Sequence, residues 1–89
     1  MIVEFDKSFE KSLSNVRDPI VLKRLKRVII QTESSPSLSS IPNILKLPGY
    51  SSYYRIRIGD YRIGIEMINK ITIRFIIIAN RKDIYKIFP

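Results

Sequence analysis

Arg55, Arg57 and Arg62 fall within eight positions of the segment YYRIRIGDYRIGIEM, residues 53 to 67. Guanidinium groups gathered so densely suit one kind of chemistry. Each stays charged at neutral pH and presents a planar fork that matches phosphate or carboxylate oxygens bidentately. The flanking pattern has period two: Tyr54, Ile56 and Ile58 share one strand face, and Tyr53, Arg55 and Arg57 the other. Gly59-Asp60 between two such runs is a two-residue hairpin signal, with the glycine supplying a positive φ. That register sets Ile58 opposite Tyr61, Arg57 opposite Arg62, Arg55 opposite Gly64 and Tyr53 opposite Glu66. Residues so placed lie about 4.5–5.5 Å apart at Cβ, and like charges there are destabilising.

A third alternating row, Ile71, Ile73, Phe75, Ile77 and Ala79, follows a short loop at residues 68 to 70. Continued in phase, it brings Arg74 beside Gly64. Arg55, Arg57, Arg62 and Arg74 then share the solvent face, around a glycine that leaves room for close approach. Two readings stay open on the hairpin alone. The arginines are ordinary exposed residues splayed in water, or they form a site for a phosphate-like anion. Their concentration, the facing pair and the glycine gap favour the second.

The bulk composition points the same way. The 89 residues carry 16 Lys plus Arg against 8 Asp plus Glu, a net charge of +8. Such a surface favours a polyanion, nucleic acid first, then an acidic protein, then an anionic membrane. Cysteine is absent, which excludes disulfides, thiol catalysis and zinc–thiolate sites. Histidine is absent too, removing the commonest general base near neutral pH. The acids are scattered, so no metal or other cofactor is expected. The opening segment is unlike a signal peptide, and the longest apolar run, Phe75 to Ala79, is too short to span a bilayer. A soluble, cytoplasmic chain with no membrane partner is expected.

The elements that must position the arginines can be read along the chain. MIVEFD suggests a short first strand. From Ser8, the spacing of Phe9, Leu13 and Val16 predicts a helix. Asp18-Pro19 reads as an N-cap and first helical residue of a second helix, with Ile20, Leu22, Leu25, Val28, Ile29 and Thr32 as its apolar stripe. The two helices, tightly joined, are expected to lie antiparallel. Residues 33 to 43, ESSPSLSSIPN, read as a surface loop, and the last ten residues as a short helical turn or tail. The expected fold is α+β, one domain over residues 1–89. It has a small antiparallel sheet, made of the three-stranded C-terminal meander plus the N-terminal strand. Two N-terminal helices pack on one face, and the other face is open to solvent.

Several segments together, FEKSL after the first strand, DPIVLKRLKR, LKLPGYSSYYRIRIGDYRIGIE and ITIRFIIIANRKDIYKIF, resemble the RelE/ParE superfamily of bacterial toxins from toxin–antitoxin pairs. The block YYRIRIGDYRI followed by a strand and then RKDIY carries the resemblance most specifically. The RelE branch cuts messenger RNA, usually in the ribosomal A site, whereas the ParE branch poisons DNA gyrase. Resemblance to the RelE branch implies a metal-independent endoribonuclease that inhibits translation. It implies catalytic roles for Arg57, Arg62, Arg81 and Tyr85, and RNA contact at Arg55. The expected partners are a RelB-like antitoxin, acidic where it touches this domain, in a toxin–antitoxin hetero-oligomer, and mRNA with the ribosome and its 16S rRNA. The alternative is a ParE-like gyrase inhibitor acting by protein binding; a catalytically dead nucleic-acid-binding relative is a third reading. The sequence departs from well-known members in having arginine where the strand often carries lysine, and Asn80 where a histidine commonly precedes the C-terminal arginine.

Metal-free RNA cleavage uses the 2′-hydroxyl as nucleophile on the adjacent phosphate. It needs a base, stabilisation of the phosphorane and an acid for the leaving oxygen. Arginine, with a pKa above about 12, suits the second role and not the first. Arg57, Arg62 and Arg81 are therefore assigned to phosphate clamping and transition-state stabilisation. Tyr85 is a candidate acid, a base activated by neighbouring arginines, or a stacking platform for a base; its structural alternative is an aromatic packed on the sheet. Glu66 is either a base or a salt-bridge partner. RNA phosphates are also expected at Arg74, at Lys82 beside Arg81, and at Lys23 and Arg27 on the second helix. There the cluster Lys23, Arg24, Lys26 and Arg27 reads either as a solvated face or as a contact to ribosomal RNA.

Overall fold

A computed structural model describes residues 1–89. The order of elements is β1 (Ile2–Phe5), α1 (Lys7–Leu13), α2 (Pro19–Ser34), β2 (Ile44–Lys46), β3 (Tyr53–Ile58), β4 (Tyr61–Asn69), β5 (Thr72–Asn80) and α3 (Ile84–Ile87), with a 3-10 turn at Leu38–Ser40. The architecture is α+β. One five-stranded sheet runs in the order β1-β5-β4-β3-β2, mixed because β1 joins β5 in parallel while the other pairs are antiparallel. Beyond the expected strands, β2 adds an outer edge beside β3.

Both long helices start where their caps place them. The Asp6 carboxylate accepts the Ser8 backbone N–H at 3.1 Å, and that of Asp18 accepts the Ile20 N–H at 2.9 Å, with Pro19 opening α2. Helix α2 continues to Ser34, two residues into the segment expected as loop. Its buried stripe is Val21, Leu25, Val28 and Thr32, whereas Ile20 and Leu22, expected inside, are exposed. Helix α1 seats chiefly on β5, and α2 over β1 and β3. Between helices and sheet lies the main core, where Phe9, Ile56, Ile63, Ile65, Ile73 and Phe75 are at most 1% exposed. The rings of Phe5, Phe9 and Phe75 meet pairwise with centroids 5.6 Å apart.

The β3–β4 hairpin has the register read from its turn: Ile58 faces Tyr61, Arg57 faces Arg62, Arg55 faces Gly64 and Tyr53 faces Glu66. Gly59, at φ +63°, occupies the first central turn position and Asp60 has no positive φ, the pattern of a type II′ turn.

The β4–β5 pair departs from the simple alternation. Gly64 faces Ile77 but Ile65 faces Phe75, so Ile76 is an extra residue in a β-bulge. Serines one helical turn apart on α1 serve the backbone there. Ser12 Oγ accepts the Ile78 N–H at 3.0 Å. Ser8 Oγ lies 2.5 Å from both the Ile76 carbonyl and Asp6 Oδ2, and its single proton serves one acceptor at a time. The bulge reverses strand parity, so Ile78 enters the main core in place of Ile77 and Ala79. It also moves Arg74 away from Gly64. Arg74 instead faces Glu66 and pairs with Glu4 on β1 at 3.1 Å.

The second face of the sheet is not open to solvent as expected. The chain returns across it through α3, and Leu47, Ile84 and Phe88 form a small core flanked by Tyr53, Ile76, Ile77 and Ala79. A Cβ on Gly64 would stand 2.7 Å from the Phe88 ring. The space over this glycine is therefore filled by the protein's own aromatic, not left for a phosphate.

Candidate functional site

At the tip of the β3–β4 hairpin a groove of about 730 Å³ lies between the end of the sheet and α2. Arg57 and Arg62 enter it from the hairpin, Arg81 from the turn after β5, and Arg24 and Arg27 from α2. Asp60 is the only carboxylate in its lining. Arg24 and Arg27, three residues apart, lie on the side of α2 next to Val28 and project over the turn. A Cβ on Gly59 would be 3.0 Å from Arg24 Nη1.

The hairpin holds its arginines by the backbone. Arg62 Nη1 donates to the carbonyls of Gly59 at 2.7 Å and Tyr61 at 2.9 Å, folding the side chain back over the turn. In the turn just before β2, Asn43, at φ +63°, turns its carbonyl to accept both the Arg57 N–H at 3.1 Å and Arg55 Nη1 at 3.2 Å. Arg81 is tied to the tip through its N–H, which donates to the Asp60 carbonyl at 2.8 Å. Its Nε stands 4.0 Å from Asp60 Oδ1, both side chains being largely exposed. Arg24, Arg27 and Arg57 make no ion pair within the protein.

The electrostatic consequence falls on Arg62. Burial holds its pKa below the usual arginine value, and the charges of Arg55, Arg57 and Arg81 depress it further, against an opposing contribution from Tyr85. A lowered pKa in a cation means that the fold holds that charge at a cost, which a bound anion would relieve. Arg55 adds to this unbalanced state, because its Nε is buried without a hydrogen-bond partner.

The other residues singled out from the sequence are distributed as follows. Tyr85, on α3, is 59% exposed, free of hydrogen bonds and near enough to act on Arg62; the aromatic that packs on the sheet is Phe88. Lys82 is exposed in the turn after β5, and Lys23 is exposed on α2; neither lines the groove. Arg74, on β5, lies beside Glu66 near the other end of β4, outside the cluster in which the sequence placed it. Glu66 faces Arg74 and Tyr53, four residues along β4 from Arg62, about 13 Å at strand rise. Asn80 accepts the Lys82 N–H through its side chain at 3.0 Å, so it builds the turn that presents Arg81. Sequence reasoning missed Asn43 and Asp60 as lining residues, and named Arg24 only within the basic cluster of α2, not beside the hairpin arginines. For Arg24 the signal was present: it lies three residues from Arg27 and seven from Gln31, which also lines the groove. No three Asp, Glu, His or Cys side chains gather as a metal-binding group.

In chemical terms the groove can bind, orient and stabilise a phosphodiester carrying developing negative charge. Arginines on two opposed walls suit a strand with successive phosphates better than a single small anion.

Residues 3–85 match the family described as ParE toxin of type II toxin-antitoxin system, parDE. The chain is 47% identical, over the full length of both proteins, to Toxin RelE3 of Methanocaldococcus jannaschii. It is similar to the toxin in a crystal structure of the RelB-RelE antitoxin-toxin complex from Methanococcus jannaschii, with TM-score 0.80 and 45% identity over 97% of this chain and 99% of that one. An archaeal RelE-RelB complex from Pyrococcus horikoshii OT3 shares the fold, with TM-score 0.65 and 24% identity over 90% and 93% of the two chains. No helix is long and apolar enough to cross a membrane.

Proposed function

The chain belongs to the ParE/RelE family of type II toxin–antitoxin toxins as a RelE-like member, and on that premise we propose that it is a metal-independent mRNA endoribonuclease acting at the ribosomal A site. The observation that carries the proposal is the convergence of Arg24, Arg27, Arg57, Arg62 and Arg81 on one groove whose lining offers a single carboxylate.

In the proposed reaction the substrate's 2′-oxygen attacks the adjacent phosphorus. The bond to the 5′-oxygen breaks, leaving a 2′,3′-cyclic phosphate on one fragment and a 5′-hydroxyl on the other. Arg57, Arg62 and Arg81 clamp the phosphate and stabilise the phosphorane, whose added charge is what the unbalanced guanidinium cluster accommodates best. Tyr85 supplies the proton to the leaving oxygen or stacks on a base. The groove contains no histidine, and Glu66 is remote. On the resemblance to the RelE branch, the ribosome with its 16S rRNA orients the RNA and completes proton transfer at the 2′-oxygen. Arg55, Arg24 and Arg27 add phosphate contacts, with Lys23 and Lys82 at the periphery. The protein works as one toxin domain in the cytoplasm, where messages are translated. An acidic RelB-like antitoxin silences it in a hetero-oligomer, as the RelB-RelE complex of the 45%-identical relative suggests.

The test is translation in vitro with the purified protein, mapping mRNA 5′ ends with and without ribosomes. New 5′-hydroxyl ends that need ribosomes are expected. The match to the ParE family description supports a second reading, inhibition of DNA gyrase by protein binding. Intact messages together with blocked supercoiling would favour it and overturn the first.

A further inference from the structure

A concavity of about 550 Å³ lies at the other end of β3 from the tip, in the loop between β2 and β3. The sequence LPGY builds it. Pro48 and Gly49, the latter at φ +82°, are the central residues of a turn closed by the Tyr50 N–H on the Leu47 carbonyl at 3.3 Å, the pattern of type II. The turn sets Tyr50 beside the sheet, where its ring meets that of Tyr53 edge to face with centroids 5.6 Å apart. Tyr53 meets Phe88 in the same way. Tyr53 and Phe88 belong to the small core of the second face and anchor the stack, yet Tyr50 itself is 47% exposed.

These rings lie on the same face of the sheet as the hairpin arginines. Tyr53, Arg55 and Arg57 alternate along β3, and the exposed Leu45 of β2 faces Arg55. A strip therefore runs from the groove to the loop: Arg57, then Arg55 beside Leu45, then Tyr53, then Tyr50. Tyr53 is four residues from Arg57, about 13 Å at strand rise. The one charged residue lining the cleft is Lys46, which belongs to no ion pair. Glu66 faces Tyr53 from β4 and is itself faced by Arg74, so that acid lies on the side away from β2. The loop thus offers an exposed aromatic ring in a weakly positive setting. Such a ring stacks on any nucleobase, because every base has a π-face.

The structure assigns to Tyr50 the role of a stacking platform for a base of the same single-stranded RNA whose phosphates the tip holds. The assignment rests on the RNA reading of the groove above, though not on cleavage. With stacked nucleotides about 3.4 Å apart, the strand between clamp and platform has on the order of five nucleotides, and fewer when extended. Arginine forks fix the phosphates at one end, and the ring fixes the direction in which the strand leaves the groove. The second hold is intramolecular once the first is made, so it raises affinity only for strands long enough to reach it.

The test is fluorescence-anisotropy binding of two labelled RNAs, one of three adenylates and one of eight. Both carry 2′-O-methyl groups, so that no 2′-oxygen can attack. Tyr50→Ala should weaken the longer RNA about fivefold or more and leave the shorter one unchanged. The slope of log K against log salt should not move, because stacking releases no counterion. Tyr50→Phe should bind both RNAs as the wild type does. Wild-type affinity of Tyr50→Ala for the longer RNA would overturn the assignment. Equal weakening of both lengths, or failure of Tyr50→Phe to keep the affinity, would overturn it too, since a general effect on the fold would then account for the loss. Arg57→Gln separates the two readings, because it should weaken both lengths. If it does so while Tyr50→Ala weakens neither, the groove stands and the platform falls. If neither RNA binds the wild type, or Arg57→Gln changes neither affinity, both readings fall.

Discussion

Strand β4 carries two cross-strand charge pairs on the same face, and they follow opposite rules. At one end Glu66 faces Arg74, which also pairs with Glu4 at 3.1 Å. At the other end Arg62 faces Arg57, with Arg81 and two arginines of α2 lining the same groove. Between them Gly64 is sealed by Phe88. The end that serves the fold matches opposite charges across strands; the tip sets like against like and leaves Arg62 with a depressed pKa. The exception is thus local, confined to the place where a concave surface could take up an anion. That contrast supports a functional origin for the tip better than the net charge alone does.

The comparison can be broken most severely at the tip. Arg62→Ala and Arg81→Ala should each lower ribosome-dependent cleavage by about a hundredfold or more, with circular dichroism unchanged. Cleavage retained in both would place the chemistry on another surface. Next comes the sealed middle. Gly64→Ala should destabilise by about 1–3 kcal/mol in urea denaturation, because its methyl group meets the Phe88 ring. An unchanged midpoint would mean that the C-terminal segment gives way at no cost.

A smaller effect of opposite sign is expected from Arg57→Gln. Relief of the facing repulsion should stabilise the protein by about 0.5 kcal/mol at low salt, fading as salt rises. At the conventional end, Arg74→Ala should cost under about 1 kcal/mol, as exposed ion pairs do, and leave cleavage unchanged. The smallest effect is that of pH on Asp6, whose carboxyl is held below the usual aspartate range chiefly by the Ser8 side-chain hydrogen bond and then by the Ser8 N–H. A depressed folded pKa gives stability that is present above the unfolded value. It is lost as pH falls through the ordinary aspartate range and below it. Ser8→Ala should flatten that acid limb in pH-dependent melts.

How much of this could be read from the residues varies with the kind of signal. The hairpin register was legible because a two-residue Gly-Asp turn leaves one register consistent with the alternation. The facing arginines followed from it directly. The path of β5 was not legible: the run FIIIA has no polar residue to mark parity, so the extra Ile76 passes unnoticed and Arg74 is set beside the wrong partner. The face of α2 was misjudged by one residue, since Ile20, Val21 and Leu22 are equally apolar and only packing selects Val21. Nor did the residues reveal that Phe88 returns over Gly64, because the placement of a terminal aromatic depends on a long-range contact. Glycine was correctly identified as a place of close approach, but the approaching group is internal.

The central claim is that the tip, not the whole basic surface, engages RNA phosphates. Its most direct test is the salt dependence of affinity for a short single-stranded RNA, measured for the wild type, Arg57→Gln and Arg74→Gln. Each phosphate contact contributes about −0.7 to the slope of log K against log salt. The account predicts that Arg57→Gln makes the slope shallower by about that amount, while Arg74→Gln leaves it unchanged. Equal changes in the two variants would contradict it, because the two ends of β4 would then be electrostatically interchangeable.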